Sequence, residues 1–161
     1  MYIPNQQVEI VHAAPSDSAG ILACLAAAFE PYRESYTEGA LHDTILTPKT
    51  FRNRLVQKKI LVAKTPSRQI VGTIACEPLG NGEGHLRGMA VVPEFLGSGL
   101  AQRLLETAEQ ELHRAGCKVV TLDTTKPLQR AIRFYEKNGY HATGKVQDFF
   151  GMPLHEYSKS L

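Results

Sequence analysis

The 161-residue sequence has no run of about 18 apolar residues, so nothing in it reads as a membrane-spanning helix. Its start, Met1-Tyr2-Ile3-Pro4-Asn5, has neither the basic nor the apolar region of a secretory leader. It also lacks an excess of charge: 18 Lys and Arg against 16 Asp and Glu leave +2, too weak a field to attract nucleic acid or anionic lipid. There are only three cysteines, Cys24, Cys76 and Cys117, far apart and without a Cys-x-x-Cys pair. That spacing argues against a clustered zinc site and a disulfide scaffold. Each sits in an apolar stretch, which reads as three reduced core thiols and a cytoplasmic setting. Repeats, low-complexity segments and long linkers are missing too, so one domain is expected over 1–161. What is present is ordinary for a globular domain: 43% apolar and 21% charged residues. A chain of this length buries roughly two-thirds of its unfolded surface.

Val8 to Ala13 reads as a strand, ended by Pro15-Ser16-Asp17, which also offers a helix cap. Ile21, Leu22, Leu25 and Phe29 recur at helical spacing, so a helix is expected from about Asp17 to Phe29. Pro31 to Thr47 is polar, aromatic and acidic without periodicity, and reads as a long binding loop. Phe51, Leu55 and Val56 mark a short helix after Thr47-Pro48. Strands Ile60–Lys64, Ile70–Glu77 and His85–Val92 follow, separated by Pro66-Ser67-Arg68 and the Gly-rich stretch 80–84, and form an antiparallel meander. Leu100, Leu104, Leu105, Ala108 and Leu112 then make an amphipathic helix stopped by Gly116. Val119–Asp123 is a short buried strand. Leu128, Ile132 and Tyr135 share a helical face stopped at Asn138-Gly139, and Tyr140–Thr143 and Leu154–Ser158 are two last strands. A meander followed by strand, helix, strand, helix argues for an α/β (α+β) domain with mixed pairing.

The chemistry concentrates where the fourth strand runs into the long helix, Met89-Ala90-Val91-Val92-Pro93-Glu94-Phe95-Leu96-Gly97-Ser98-Gly99-Leu100-Ala101. A Gly-rich turn there leaves N–H groups at the helix start pointing outwards, and with the helix dipole they suit a phosphate. Glycine admits the close approach and positive φ that a Cβ would block. Neither Gly-x-Gly-x-x-Gly nor the P-loop pattern is present, so Rossmann and P-loop readings fail.

Leu96-Gly97-Ser98-Gly99-Leu100-Ala101 resembles the pyrophosphate loop of the GNAT superfamily of acyl-CoA-dependent N-acetyltransferases, written Gln/Arg-x-x-Gly-x-Gly/Ala. Further on, Ala131-Ile132-Arg133-Phe134-Tyr135-Glu136-Lys137-Asn138-Gly139-Tyr140 resembles that family's Ala-x-x-Phe-Tyr-x-x-x-Gly-Phe segment. The order of elements matches as well. Two positions depart from the pattern: Leu96 stands where Gln or Arg heads the loop, and Leu128 where many relatives carry Asn. Main-chain donors do not depend on side-chain identity, so Leu96 is expected to reduce affinity at most.

The resemblance implies a mixed sheet of about seven strands flanked by about four helices. Strands four and five splay to admit the pantetheine arm of acetyl-CoA, a co-substrate, with no metal. It places Met89, Ala90 and Val91 beside the arm, Leu96 to Ala101 (with Gly97, Ser98, Gly99 and Leu100) at the phosphates, and Ala131, Phe134 and Tyr135 alongside. Tyr135 is the implied general acid: a phenol of pKa about 10 can protonate a thiolate of about 8.5. His85 falls where some relatives carry a catalytic Glu and is the candidate base, with Glu77, Glu83 and water as alternatives. By strand alternation His85, Arg87 and Met89 share a face. Arg103, Lys126, Arg130 and Lys137 are candidates for the 3′-phosphate. The acceptor pocket is sought between Pro31–Thr47, with Tyr32, Arg33, Glu34, Tyr36, Glu38 and Asp43, and the loop Asp148–Met152. Carboxylates beside aromatics suit a cationic amine, while Arg33 suits an acceptor carboxylate.

The expected activity is acetyl transfer from acetyl-CoA to a primary amine, of a small molecule rather than a protein. No nucleic acid or membrane partner is expected, and a homodimer is allowed without any residue fixing it. The alternatives are a non-catalytic acyl-CoA sensor, acetylation of a protein amine, and a purely structural interaction domain.

Overall fold

The structure is a computed structural model and describes residues 7–161, so the reading of Met1–Asn5 as lacking the features of a secretory leader falls outside the described residues. Among them are seven strands: β1 (Glu9–His12), β2 (Lys59–Lys64), β3 (Ile70–Gly80), β4 (Glu83–Val91), β5 (Val119–Thr124), β6 (His141–Phe149) and β7 (Met152–Ser160). The helices are α1 (Ser18–Phe29), α2 (Glu38–Thr44), α3 (Pro48–Gln57), α4 (Leu100–Arg114) and α5 (Gln129–Lys137). The strands form one sheet in the order β1-β2-β3-β4-β5-β7-β6. Every neighbouring pair is antiparallel except β4 and β5, which run parallel.

The centre of the sheet is covered on both faces, and the sequence of β3 reflects it: Ile70 to Cys76 are all buried, including Thr73, whose hydroxyl donates to the Leu61 carbonyl at 2.9 Å. On one face, α4 lays the stripe Leu100, Leu104, Leu105, Ala108 and Leu112 against the strands. The approach is close because β3 and β4 present glycines there. A Cβ on Gly72 would lie 2.8 Å from Leu104, and one on Gly84 would lie 2.9 Å from Leu112. On the opposite face, Ile21 and Leu25 of α1 and Arg54 of α3 meet around Thr73 and Ala75.

The expected ends of α4 are observed: Gly99 precedes it at φ 87° and Gly116 follows it at φ 90°, conformations that a Cβ disfavours. Three sequence expectations need correction. Pro31–Thr47 is not a continuous loop. It holds a 3-10 turn at Glu30–Ser35 and then α2, whose N-cap Thr37 accepts from the Ala40 N–H at 3.2 Å. Two turns of helix are too short to display a periodicity, which is why five α-helices are present where four were expected. In α3, Val56 does not join the apolar face and is 88% exposed; Phe51 and Arg54 are the buried residues. The last strands are also longer than read, because β6 is exposed along most of its length and carries no alternation to mark it.

Candidate functional site

β4 and β5 pair only from Glu83–Leu86 against Val119–Leu122. Beyond that point they diverge, and the edge of β4 from Arg87 to Val91 is left without a strand partner on that side. A cleft of about 910 Å³ opens at the split, a size that suits a ligand of substrate dimensions. His85, Arg87, Met89, Ala90 and Val91 line it from β4, and Leu122, Asp123 and Thr124 from β5.

The β4 edge is not a regular strand. Ala75 of β3 pairs with Arg87 and Thr73 with Ala90, so two steps on β3 face three on β4. The resulting bulge holds Gly88 at φ 63° and breaks the alternation expected through Met89. His85, Arg87 and Met89 still border the cleft, but simple alternation does not carry them there together.

The loop before α4 forms one end of the cleft through Leu96, Gly97, Gly99, Ala101 and Gln102. Gly97 and Gly99 take φ 78° and 87°. Ser98 braces the turn: its N–H and hydroxyl both donate to the Phe95 carbonyl, at 3.2 and 2.5 Å, and its Oγ accepts from Leu100 N–H at 3.3 Å. The N–H groups of Gly97, Gly99, Ala101 and Gln102 have no hydrogen-bond partner among the described residues. They form a cluster of donors at the positive end of a 15-residue helix. Leu96 is 47% exposed at the head of this loop. Leu100 is fully buried under the helix and Ser98 is turned into the turn itself, so neither borders the cleft although both were expected at the phosphates.

Ala131, Phe134 and Tyr135 of α5 form the facing wall. Tyr135 is buried, packed between Phe134 (ring centroids 5.5 Å) and Tyr140 (5.8 Å). Tyr140 is fixed in turn by donating to Glu109 Oε2 at 2.6 Å, and Gln102 of α4 donates to Asn138 after α5 at 2.7 Å. Burial raises the Tyr135 phenol well above its ordinary pKa, so it stays protonated at any physiological pH.

His85 lies at the bottom of the split. Its Nδ1 is 2.9 Å from Thr121 Oγ1 and its Nε2 is 3.4 Å from Asp123 Oδ2. Burial lowers the imidazole pKa against the opposing pull of Asp123, and burial raises the Asp123 carboxyl. Asp123 Oδ1 is buried and has no hydrogen-bond partner among the described residues. The alternative bases are elsewhere: Glu77 is ion-paired with Lys58 and Glu83 sits at the far end of β4, and neither lines the cleft. Asp123 was read only as the end of a buried strand. Its signal was a carboxylate two residues from Thr121 on the same face of a mostly buried strand.

The third wall joins the two expected acceptor segments. Tyr32, Tyr36, Asp43 and Thr44 line the cleft from one side, and Asp148, Phe149 and Phe150 from the other. The two sides touch. Phe150, at the tip of the β6–β7 hairpin, packs so closely on Gly39 of α2 that a Cβ there would lie 2.8 Å away. Tyr36 Oη and Thr125 Oγ1 are 2.6 Å apart. Asp43 is ion-paired with Arg87. Glu34 and Glu38 do not line the cleft, and Arg33 is bound to Glu30 on the surface at 2.9 Å. Of the four 3′-phosphate candidates, Arg130 and Lys137 border the cleft. Arg103 instead donates to the Val8 carbonyl at 2.9 Å, and Lys126 lies off the lining. The three cysteines are buried free thiols; burial pushes Cys24 up to about 12 and Cys76 to about 11, which leaves them inert. Among the described residues, no cluster of His, Cys, Asp and Glu is arranged to hold a metal ion.

The acetyltransferase (GNAT) family model matches residues 22–140. In fold, the chain is similar to the PaiA N-acetyltransferase of Thermoplasma acidophilum in complex with coenzyme A: TM-score 0.79, 20% identity, 96% of this chain and 99% of that one. It is similar to a GCN5-related N-acetyltransferase of Rhodopseudomonas palustris, with TM-score 0.78 and 21% identity over 100% of both chains. The ribosomal-protein-S18-alanine N-acetyltransferase of Escherichia coli matches with TM-score 0.74 and 17% identity over 95% of this chain and 93% of that one. The split between β4 and β5, the donor cluster before α4 and the sequence match over most of the chain agree: the chain belongs to the acetyltransferase (GNAT) family.

Proposed function

We propose that this protein transfers an acetyl group from acetyl-CoA directly to a primary amine of a small molecule. The observation that carries this reading is the meeting, in one cleft, of an unpaired strand edge, a cluster of free main-chain N–H groups and a buried pair of titratable side chains. The residues fit the co-substrate. The N–H groups of Gly97, Gly99, Ala101 and Gln102 would hold its diphosphate. Arg130 and Lys137 add positive charge along the same lining. The open edge of β4 at Met89–Val91 would take its amide-bearing arm as an added strand.

Acetyl-CoA supplies the activated thioester when bound, and the remaining work falls to the chain. Main-chain N–H groups at the β4 bulge polarise the thioester carbonyl as it gains negative charge. His85 and Asp123 act together as the proton acceptor for the incoming ammonium, since a neutral imidazole beside a carboxylate has room for one more proton. Thr121 holds the ring by its Nδ1. Tyr135 donates its O–H to the departing sulfur. Its raised pKa opposes complete loss of the proton, so its contribution is a strong hydrogen bond to the thiolate as it forms. No cysteine lines the cleft, which suits direct attack without an acetyl-enzyme. The hairpin tip closed on α2 favours a small acceptor over a protein segment.

Titration calorimetry with acetyl-CoA is expected to show one site per chain. Absence of binding would remove the reading. The proton acceptor is tested by the pH dependence of kcat. Activity requires the unprotonated pair, so kcat should rise with pH on an acid limb set by the lowered pKa of His85. Asp123→Asn removes the carboxylate that stabilises the imidazolium, while burial and the nearby Lys58 and Arg87 still oppose it. The limb should therefore move to lower pH, and kcat at the plateau should fall by about 100-fold, the scale of a lost general base. An unchanged profile would exclude the pair.

A further inference from the structure

We propose that Arg54 is the acceptor-binding residue of this cleft and that it selects amines that also carry a carboxylate. The inference rests on the transferase reading above and names the substrate class. Arg54 lies on the buried face of α3, three residues after Phe51, and is only 9% exposed, yet it borders the cleft. Its Nη1 is 3.0 Å from the position of a Cβ on Gly88, which puts the guanidinium against the β4 bulge beside the strand edge described above.

A guanidinium carries five N–H donors and stays charged. Among the described residues no hydrogen bond or ion pair takes up those of Arg54. The carboxylate whose charge acts on it, Asp43, is already ion-paired with Arg87. Arg54 and Arg87 together therefore outweigh Asp43 by one positive charge at this end of the cleft. Burial and the neighbouring Arg87 lower the Arg54 pKa to about 10, and Asp43 offsets this only in part, so the charge is present at neutral pH. A buried cation without a hydrogen-bonded partner is costly, and a partner that arrives with the substrate recovers that cost only in the complex.

The chemistry of the surroundings narrows the partner. Asp43, Asp123 and Asp148 line the same cleft, which disfavours a dianionic phosphate. A singly charged planar carboxylate matches the guanidinium fork. An acceptor with both groups would direct its ammonium to His85 and Asp123 and its carboxylate to Arg54. Arg33, the residue considered for this role from sequence, is bound to Glu30 outside the cleft.

The test uses the product class as probe, so that binding is read without turnover. N-acetylglycine, N-acetylleucine and N-acetylphenylalanine, each as the free acid and as the primary amide, are titrated into the coenzyme A-saturated protein. The readout is the ¹⁵N–¹H signal of the arginine Nε groups. At least one acid is expected to bind 10-fold or more tighter than its amide, with one Nε signal shifting to saturation, absent in Arg54→Gln. Arg54→Gln should reduce acid binding to the level of the amide while acetyl-CoA affinity is unchanged, and Arg54→Lys should restore part of the preference. Acids that bind no better than amides, or a preference that survives Arg54→Gln, would overturn the proposal. The acid-to-amide contrast in the unsubstituted protein decides the question even if Arg54→Gln fails to fold. Calorimetry with acetyl-CoA on the same samples separates the two failures: no coenzyme binding sinks the transferase reading, whereas coenzyme binding without acid preference sinks the role of Arg54 alone.

Discussion

Tyr135→Phe lowers kcat by about 100-fold, the scale expected when a hydrogen-bond donor to developing negative charge is lost, and leaves acetyl-CoA affinity nearly unchanged. The substitution keeps the ring, and therefore the packing against Phe134 and Tyr140 that positions it. Only the hydroxyl is lost. Stability should change little, because no hydrogen bond of that hydroxyl to another described residue is broken. A steady-state assay of kcat alongside calorimetric titration checks both parts. Unchanged turnover would remove Tyr135 from the mechanism, and a large loss of coenzyme affinity would reassign it to binding.

The second large effect is Gly99→Val, expected to weaken acetyl-CoA binding by at least about 100-fold, or roughly 2.7 kcal/mol. At φ 87° a β-branched side chain is strained, and relief requires the turn before α4 to change course. That movement would scatter the N–H groups of Gly97, Gly99, Ala101 and Gln102, which act only as a group. Strain alone could lower stability elsewhere, so the comparison is Gly116→Val. Gly116 takes nearly the same φ, 90°, at the other end of α4, with nothing within 4 Å of a Cβ. This control should lose stability and retain coenzyme binding. Normal binding by Gly99→Val would show that the phosphates sit elsewhere.

These two predictions rest on parts of the molecule that were readable from the sequence. The stripe Leu100, Leu104, Leu105, Ala108 and Leu112 is long enough to establish a helical period, and Gly99 and Gly116 mark its ends because positive φ selects glycine. The Phe134-Tyr135 pair could be located from its motif. Other parts were not readable, for physical reasons. α2 is seven residues long and shows no period. β6 is exposed along most of its length, so nothing alternates.

The missed site residues were missed for a different reason. Asp123 matters because it lies beside His85, and that proximity depends on the register His85↔Thr121 across the parallel pair, a long-range fact. Arg54 was nearer to hand. Helical spacing from Phe51 puts residue 54 on the buried face and residue 56 away from it, but hydrophobicity drew attention to Val56. A charged residue on a buried helical face was the informative one. The bulge at Gly88 lay beyond reach for the same reason as Asp123: it is defined by what β3 does, not by β4 alone.

The central claim is that this cleft moves an acetyl group from coenzyme A to an amine. It is tested most directly by measuring free coenzyme A thiol with acetyl-CoA and a set of primary amines, with the product identified by mass. The account predicts thiol release that depends on an added amine, one acetyl group gained by that amine for each thiol released, and strong reduction by Tyr135→Phe. Tight acetyl-CoA binding with no amine-dependent release across the set would contradict it and leave the protein a sensor of acyl-CoA.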